Sequence, residues 1–369
     1  MRPSGQRVAE LRGDRPPERC THRRPRTDTR FVCLLLVLWL GVATPSTALT
    51  GTLLVANRSG GSITLFDLAT EVEIARIPIG PVIPHEVHVS PDGRFALTAE
   101  YGPNHSPGRH IILIDIATAE IVSRIDLGPN SRPHTALFLP DGRRAVATMQ
   151  DSDELALVDL EQESVVRTYP TGGREGHMVR LHPDGSRAYV TSRGGPGTLS
   201  VIFLNEERPP VVLATGPGAE GLDVTPDGRE IWVANRGGTS ISVIDAHSLD
   251  IVDTLESRPA AGRIEIGPRG FAIVPNGGRG SRVPQYLRLW DVTARQMITE
   301  VPLRDGKPQG GNFGVLIQDD FAFASDPDAG TIQVFQLPEL TGRRPLILAH
   351  DAPDGMAWSP MRVEVLTRQ

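Results

Sequence analysis

Short apolar runs separated by turn residues repeat along most of the chain, and residues 219–256 show the pattern most clearly. There the runs GLDVT, EIWVAN, ISVID and IVDTLE are separated by PDG, RGGTS and AHSLD. Each run has the length of a β-strand, alternates or is β-branched, and is too short for a stable helix. The pattern predicts a four-stranded antiparallel meander, with strands a to d in chain order. Because one meander cannot bury both faces, we expect it to pack against copies of itself.

The turn between strands a and b recurs at a regular spacing and sets the register of the repeat. Its first residue, usually the proline of Pro-Asp-Gly or a degenerate version, lies at Pro91, Pro140, Pro183, Pro226, Pro268, Gln318 and Pro360. Intervals of about 40–50 residues with four strands each are typical of a β-propeller. The seven anchors predict an all-β chain that folds as a seven-bladed β-propeller of four-stranded antiparallel blades.

The two ends of this region complement each other. The runs LLVAN, SITLFDL and EIARIPI at its start match strands b, c and d, but no strand a precedes them. Gly355–Ser359 near the C-terminus matches a strand a. We therefore expect the last blade to be closed by both termini, which removes open sheet edges. Leu53–Asn57 and Val363–Leu366 both fit the b position of this blade, and the sequence does not choose between them.

Residues 1–48 differ from the repeats. Residues 1–30 carry nine arginines and four acidic residues, a composition that predicts disorder. The apolar run Phe31–Val42 is shorter than the roughly 20 residues of a membrane span, and Ser46-Thr47-Ala48 offers a small-residue cleavage site. This order predicts a basic segment with a signal peptide in residues 1–48, a propeller in residues 49–369, and export to the periplasm or the cell exterior. An uncleaved N-terminal anchor is the alternative.

Charge and cysteine content narrow the expected partners. The net charge is −6, and it becomes more negative without residues 1–48, so we expect no nucleic acid or anionic membrane as a partner. Cys20 and Cys33 both precede the predicted cleavage site, so a cleaved chain would contain no disulfide. We expect a monomer that binds a small anion or a protein.

The repeats are similar to a known family. The segments PHEVHVSPDGRFALTAEYG and GLDVTPDGREIWVANRGGTSISVIDAHSLDIVDTL resemble the YVTN-type β-propeller repeat, and the resemblance covers nearly all of residues 51–369. It implies the propeller fold. The wider superfamily includes quinoprotein amine dehydrogenase-like and lactonase-like propellers and the haem d1 nitrite reductase propellers, so the resemblance leaves function open. The sequence has no CxxCH motif, which excludes a self-contained cytochrome.

Counting back from each anchor predicts which side chains meet at the central channel. Strand a is innermost in propellers, so its first residue lies at the channel mouth, on the face that we call the top. Positions four and two before the anchor are apolar and predict blade packing. The residues six before the anchors are His85, His134, His177, Glu220, Gly262, Asn312 and Asp354. We expect the mouth to collect three imidazoles, two carboxylates and an amide.

The corners between strands b and c lie on the same face and add Glu100, Arg193 and Arg236 to the candidate ligand-binding residues. Arginines near histidines suit an anionic or carbonyl-bearing ligand. A transition metal such as zinc, iron or copper is a second possibility, with His85, His134 and His177 as its ligands. These histidines belong to the repeat consensus, and a purely structural role in joining neighbouring blades is the third interpretation.

These observations leave three functions open. The first is a secreted or periplasmic propeller that acts as a binding scaffold, with a ligand or partner on the top face. The second is an enzyme that uses the mouth residues, either a lactonase-like hydrolase or a metal-dependent oxidoreductase. The third is an accessory protein of a quinone-cofactor or electron-transfer system. No G-x-S-x-G or H-E-x-x-H motif occurs, so the hydrolase templates based on these motifs do not apply.

Overall fold

The computed structural model describes residues 49–276, 284–303, 314–342, 344–347 and 352–363. These residues form seven antiparallel sheets, each of which is one blade, and they contain no helix. It follows that no described segment is a helix long and apolar enough to cross a membrane. The predicted basic segment and signal peptide lie outside the described residues, as does Asn312.

The strands are numbered in chain order, and each blade is given from its inner to its outer strand. Blade 1 comprises β29 (Pro353–Ser359), β1 (Thr52–Asn57), β2 (Ser62–Asp67) and β3 (Val72–Pro78); blade 2 comprises β4 (Val87–Val89), β5 (Phe95–Ala99), β6 (His110–Asp115) and β7 (Glu120–Asp126); blade 3 comprises β8 (Pro133–Phe138), β9 (Arg144–Met149), β10 (Glu154–Asp159) and β11 (Ser164–Pro170). Blade 4 comprises β12 (Gly176–Leu181), β13 (Arg187–Ser192), β14 (Thr198–Phe203) and β15 (Val211–Ala214); blade 5 comprises β16 (Ala219–Val224), β17 (Glu230–Asn235), β18 (Ser240–Asp245) and β19 (Ile251–Glu256). Blade 6 comprises β20 (Glu265–Ile266), β21 (Phe271–Asn276), β22 (Tyr286–Asp291) and β23 (Gln296–Pro302); blade 7 comprises β24 (Val315–Gln318), β25 (Phe321–Asp326) and β26 (Thr331–Gln336), with β27 (Thr341–Gly342) and β28 (Leu346–Ile347) both paired to β26.

Blade 1 is built from both ends of the chain, which confirms the predicted closure. β29 pairs with β1, and the register joins Thr52 to Ser359 and Val55 to Met356. β1 also pairs with β2, so Thr52–Asn57 occupies the b position that the sequence left open. Val363, the described residue of the competing segment, packs instead against the apolar cluster between blades 1 and 2.

The core lies between the blades. Within the described residues, seven apolar clusters form, and each joins two neighbouring blades. Trp232 of blade 5 and Trp290 of blade 6, for example, are buried edge to face with their ring centroids 6.4 Å apart. Val87, Ala136 and Leu222, predicted as packing residues, belong to three of these clusters. The apolar face of each sheet is thus covered by its neighbour, as the repeat requires.

A β-bulge interrupts the upper end of several inner strands. The register shifts between Pro133 and Ala136 in β8, between Gly176 and Val179 in β12, and between Ala219 and Leu222 in β16. A bulge sets two residues of one strand against one residue of its partner and re-aims the side chains. The strict alternation of a strand therefore does not hold at the channel mouth, and this shapes the site described next.

Candidate functional site

The three predicted histidines meet at the top of the channel. The ring centroids of His85 and His134 are 4.7 Å apart, and those of His134 and His177 are 3.8 Å apart. Tyr101, from the b–c corner of blade 2, lies edge-on to both His85 and His134. The three imidazoles, which we call the stack, thus run across blades 2, 3 and 4; the first two rings are stacked, and the second and third are tilted by 49°.

Two carboxylates hold the ends of this stack. His85 Nδ1 lies 2.9 Å from Asp354 Oδ2, and His177 Nε2 lies 3.7 Å from Glu220 Oε1. Arg236 donates from one nitrogen to both oxygens of Glu220, at 2.8 Å each. Because a carboxylate only accepts, Nδ1 of His85 carries the hydrogen, and the other ring nitrogen of the neutral imidazole is an acceptor.

Burial keeps all three imidazoles neutral. It lowers the pKa of His85, although the contact with Asp354 opposes the shift. Burial and the neighbouring His177 and His85 lower the pKa of His134 well below its usual value. Burial likewise lowers the pKa of His177 to about 3, against the opposing contact with Glu220. At neutral pH the stack therefore offers uncharged donors and acceptors.

Glu220 stays ionised. Burial would raise the pKa of its carboxyl group, but the contacts with His177 and then Arg236 outweigh burial, and the net shift is downward. A carboxylate held this way is a weak base at neutral pH.

A buried ion-pair cluster closes the channel beneath the histidines. Arg263 Nη1 lies 2.5 Å from Glu86 Oε1, and Arg263 Nη2 lies 3.5 Å from Asp354 Oδ1. Arg263 is 5% exposed, Glu86 is 7% exposed and Asp354 is fully buried. Arg263 and Glu86 each lie five residues before their anchor, and their ion pair forms a charged level below the mouth.

The mouth above this cluster encloses a cavity of about 370 Å³. The side chains that line it come mainly from the inner strands and from the b–c corners. They include Arg58, His85, Tyr101, Asn104, Arg132, His134, His177, Arg193, Glu220, Arg236 and Arg263. Five of these are arginines, whereas Glu220 is the one carboxylate of the lining among the described residues.

The structure sorts the predicted site residues into three groups. His85, His134, His177, Glu220, Arg193 and Arg236 all line the cavity. Asp354 lies beneath it, where it contacts His85, Arg58 and Arg263. Glu100 is buried outside the cavity and pairs with His110 and Arg124 of its own blade, so the structure gives it a place in the blade rather than in the mouth. Asn312 is outside the described residues.

A metal centre finds no support in the arrangement of donors. Among the described residues, no group of three or more His, Cys, Asp or Glu side chains is arranged to hold a metal ion. The imidazoles stack on one another, and His85 and His177 direct nitrogens at carboxylates. The assignment of His85, His134 and His177 as metal ligands therefore remains a prediction.

Three important residues escaped the sequence analysis: Arg263, Glu86 and Arg132. Glu86 and Arg263 share a sequence position, five residues before the anchor. In a regular strand the side chain at this position would point to the opposite side from the one six before the anchor. Arg132 precedes β8, stacks over the Tyr101 ring at 4.2 Å and bonds to Asn104. Its sequence position carries no repeat signal.

Gly355 makes the close approach of blades 1 and 2 possible. A Cβ there would lie 2.5 Å from Glu86 Oε2 and 2.6 Å from the backbone oxygen of His85. We expect Gly355→Ala to lower the free energy of unfolding by about 1–2 kcal/mol, because the overlap forces the inner strands apart. Urea denaturation measures this. Gly176→Ala is the matched control, since its Cβ would meet nothing nearer than 3.7 Å; equal effects of the two changes would contradict the expectation.

Comparison with known proteins identifies the relatives of this chain. A family model described as YNCE-like beta-propeller matches residues 53–312. Protein NirF of Stutzerimonas stutzeri is 25% identical over 279 residues, which is 68% of this chain and 67% of NirF. A 6-phosphogluconolactonase of Bacillus subtilis is 30% identical over 190 residues, which is 44% of this chain and 53% of that protein. Among solved structures, a Kuenenia stuttgartiensis hydrazine synthase chain aligns with a TM-score of 0.65 at 15% identity, over 75% of this chain and 90% of that chain.

Proposed function

The chain belongs to the YNCE-like β-propeller family, and from that premise we propose that it is a binding propeller whose channel mouth takes a small hydroxylated organic anion, such as a hydroxy acid or a sugar phosphate. The N-terminal sequence pattern alone supports placing this activity in the periplasm or outside the cell. NirF and the 6-phosphogluconolactonase are differently named proteins, and each is similar to only part of this chain. Sequence similarity therefore does not distinguish binding from catalysis.

The main support for this proposal is the set of contacts that Arg193 makes. Its Nη2 donates to Gln150 Oε1 at 3.3 Å, and its Nε is buried without a hydrogen-bond partner. No carboxylate lies within ion-pair distance of Arg193 among the described residues, whereas Arg58 and Arg236 each have one and Arg263 has two. An uncompensated guanidinium that lines a cavity is the group that an anion would complete.

The other groups of the mouth suit the remainder of such a ligand. A cavity of about 370 Å³ is within the range of small-molecule sites. The free ring nitrogen of His85 accepts a hydrogen bond, and a ligand hydroxyl can supply one. Gln150 also accepts from the Tyr101 hydroxyl at 3.2 Å, so it fixes Tyr101 and Arg193 together. The site is thus preorganised on strands and their corners.

A lactonase-like reaction is less well supported. In such a reaction a histidine or Glu220 would activate water. Burial lowers the pKa of each of the three histidines, and Arg236 occupies both oxygens of Glu220. Its lowered pKa also makes it a poor general base at neutral pH. An accessory role would add a protein partner on the top face and is compatible with the proposed binding.

Arg193→Met should weaken anion binding by about 10- to 100-fold, because the change keeps the stem but removes a charge-assisted hydrogen-bond donor. Titration calorimetry with citrate and with glucose 6-phosphate measures this, and uncharged glucose is the matched ligand control. Arg143→Met, which removes an arginine of an exposed pair on another surface, should leave affinity unchanged. Absence of binding by both anions, or equal binding by the two variants, would refute the proposal.

A further inference from the structure

A second cavity, of about 260 Å³, lies on the channel below the Arg263–Glu86 pair. Its polar lining comes from Glu86, His88, Arg180, Glu265 and Gln318. His88, Arg180 and Glu265 each lie three residues before their anchor, as do the lining residues Leu137, Val315 and Ala357. This cavity is therefore a third layer of the inner wall, separated from the mouth by the buried ion pairs.

The charges around this lower cavity do not balance. Arg180 is shared between Asp223, at 3.2 Å, and Glu265, at 3.5 Å. Arg263 is shared between Glu86 and Asp354. Four buried or half-buried carboxyl groups thus share Arg180 and Arg263, and Arg58 is a further partner of Asp354 alone.

Histidine does not supply the missing positive charge. Burial, followed by the charges of Arg180 and Arg263, lowers the pKa of His88 well below its usual value, so the ring is neutral. Its Nε2 is buried and has no hydrogen-bond partner within the described residues. His88 Nε2 is therefore an acceptor whose hydrogen-bonding capacity is unused in the described structure.

The pKa values of three of these carboxyl groups are raised, as expected where carboxyl groups outnumber cations. Burial, then the charge of Asp223, raises the pKa of Glu265 to about 8, although Arg180 opposes the shift. Burial also raises the pKa of Glu86 and of Asp223 above their usual values. An added cation would relieve this shortage by pairing with the ionised Glu265 carboxylate.

The rest of the wall is apolar. Val89, Leu137, Leu316 and Met356 line the cavity beside the carboxyl groups, as does Trp358. A strongly hydrated inorganic ion would leave this surface uncovered, whereas a hydrocarbon group would cover it. Charge and apolar surface together select the chemistry of the occupant.

We propose that the lower cavity is a second ligand site, which binds a small organic ammonium ion through Glu265 and His88 with its hydrocarbon part against the apolar wall. This site is independent of the anion site proposed for the mouth. The ammonium group donates to the Glu265 carboxylate and to the free nitrogen of His88. The channel then carries ligands of opposite charge at its two ends.

Benzylammonium chloride is the probe, and calorimetric titration of the full chain at pH 8.5 is the measurement. We expect saturable binding, with benzyl alcohol at least tenfold weaker because it lacks the charge, and no competition from an equal concentration of sodium chloride. Glu265→Gln should weaken benzylammonium binding at least tenfold. Arg193→Met, at the mouth, should leave it unchanged, which separates this site from the anion site.

Two further measurements keep the proposal testable if Glu265→Gln does not fold. Gln318→Lys places a tethered ammonium group at the cavity, and we expect it to reduce benzylammonium affinity at least tenfold. Affinity should also rise from pH 6.5 to 8.5 as Glu265 ionises; the groups that face it are Glu86 and His88 from the β4 segment, Arg180 from β12 and Asp223 from β16. Equal affinity for benzyl alcohol, or unchanged benzylammonium affinity in the folded variants, would overturn the proposal.

Discussion

Replacing Arg263 with methionine is expected to lower the free energy of unfolding by about 3–5 kcal/mol at pH 7.5, the usual cost of removing one partner from a buried ion pair. Arg263 is 5% exposed and compensates both Glu86 and Asp354. Without it, Glu86 loses its nearest cation inside the channel, and Asp354 is left with His85 and Arg58 among the side chains that the structure describes. Urea denaturation followed by tryptophan fluorescence gives the unfolding free energy.

A second substitution identifies the cause of that loss. Glu86→Gln in the Arg263→Met background removes the stranded charge, so we expect it to recover a large part of the lost stability. Arg143→Met serves as the control, because it breaks an ion pair whose two side chains are both 75% exposed, and it should not change the urea midpoint measurably. A loss below about 1 kcal/mol for Arg263→Met, or no recovery in the double variant, would show that the pair does not stabilise the channel.

We expect the free energy of unfolding of the wild-type chain, measured relative to that of His177→Gln, to fall by about 3 kcal/mol between pH 7.5 and pH 4.5. The pKa of His177 is about 3 in the folded state, against 6.5 as its usual value. Below pH 6.5 the unfolded chain binds a proton at this residue and the folded chain does not, so acid destabilises the folded state until the pH approaches 3. Glutamine cannot titrate, and the variant therefore escapes this loss.

The comparison between two variants is needed because other groups act in the opposite direction. The pKa of Glu265 is raised to about 8, so its contribution increases stability as the pH falls from 8 towards 4.5. That contribution is common to both proteins and cancels in the difference. His247→Gln, at an exposed turn, sets the baseline. A difference that stays constant with pH would mean that His177 takes up its proton equally readily in the folded and the unfolded chain.

The sequence repeat alone was enough to predict most of the fold and about half of the site residues. The Pro-Asp-Gly turns fix which residue begins each inner strand, and this placed His85, His134 and His177 correctly at one opening. The direction of the strands then placed Arg193 and Arg236 on the same face. Both inferences need only the register and the order of the strands, which short-range sequence signals determine.

The remainder depended on contacts between distant blades. Glu100 was expected at the mouth, but His110 and Arg124 of its own blade hold it elsewhere, and no spacing rule reveals that preference. Arg263 and Glu86 were missed because the same position is uncharged in blades 3 to 5, where Thr135, Met178 and Gly221 occupy it, and because their ion pair joins two distant blades. The lower cavity was also missed, since the strand that carries His88 gives no sign of the cavity by itself. The environment of His88 comes from Arg180 and Glu265 on two other blades.

The closing of blade 1 by β29 gives the mouth a property with respect to protein synthesis. His85 and Asp354 are 269 residues apart in the chain, and Arg263 reaches Asp354 only when β29 is in place. While the ribosome is still translating the later blades, the nascent chain carries the histidines but not the carboxylate that orients the first of them. The contacts of His85 and Arg263 with Asp354 are therefore complete only after the C-terminal strand has joined blade 1.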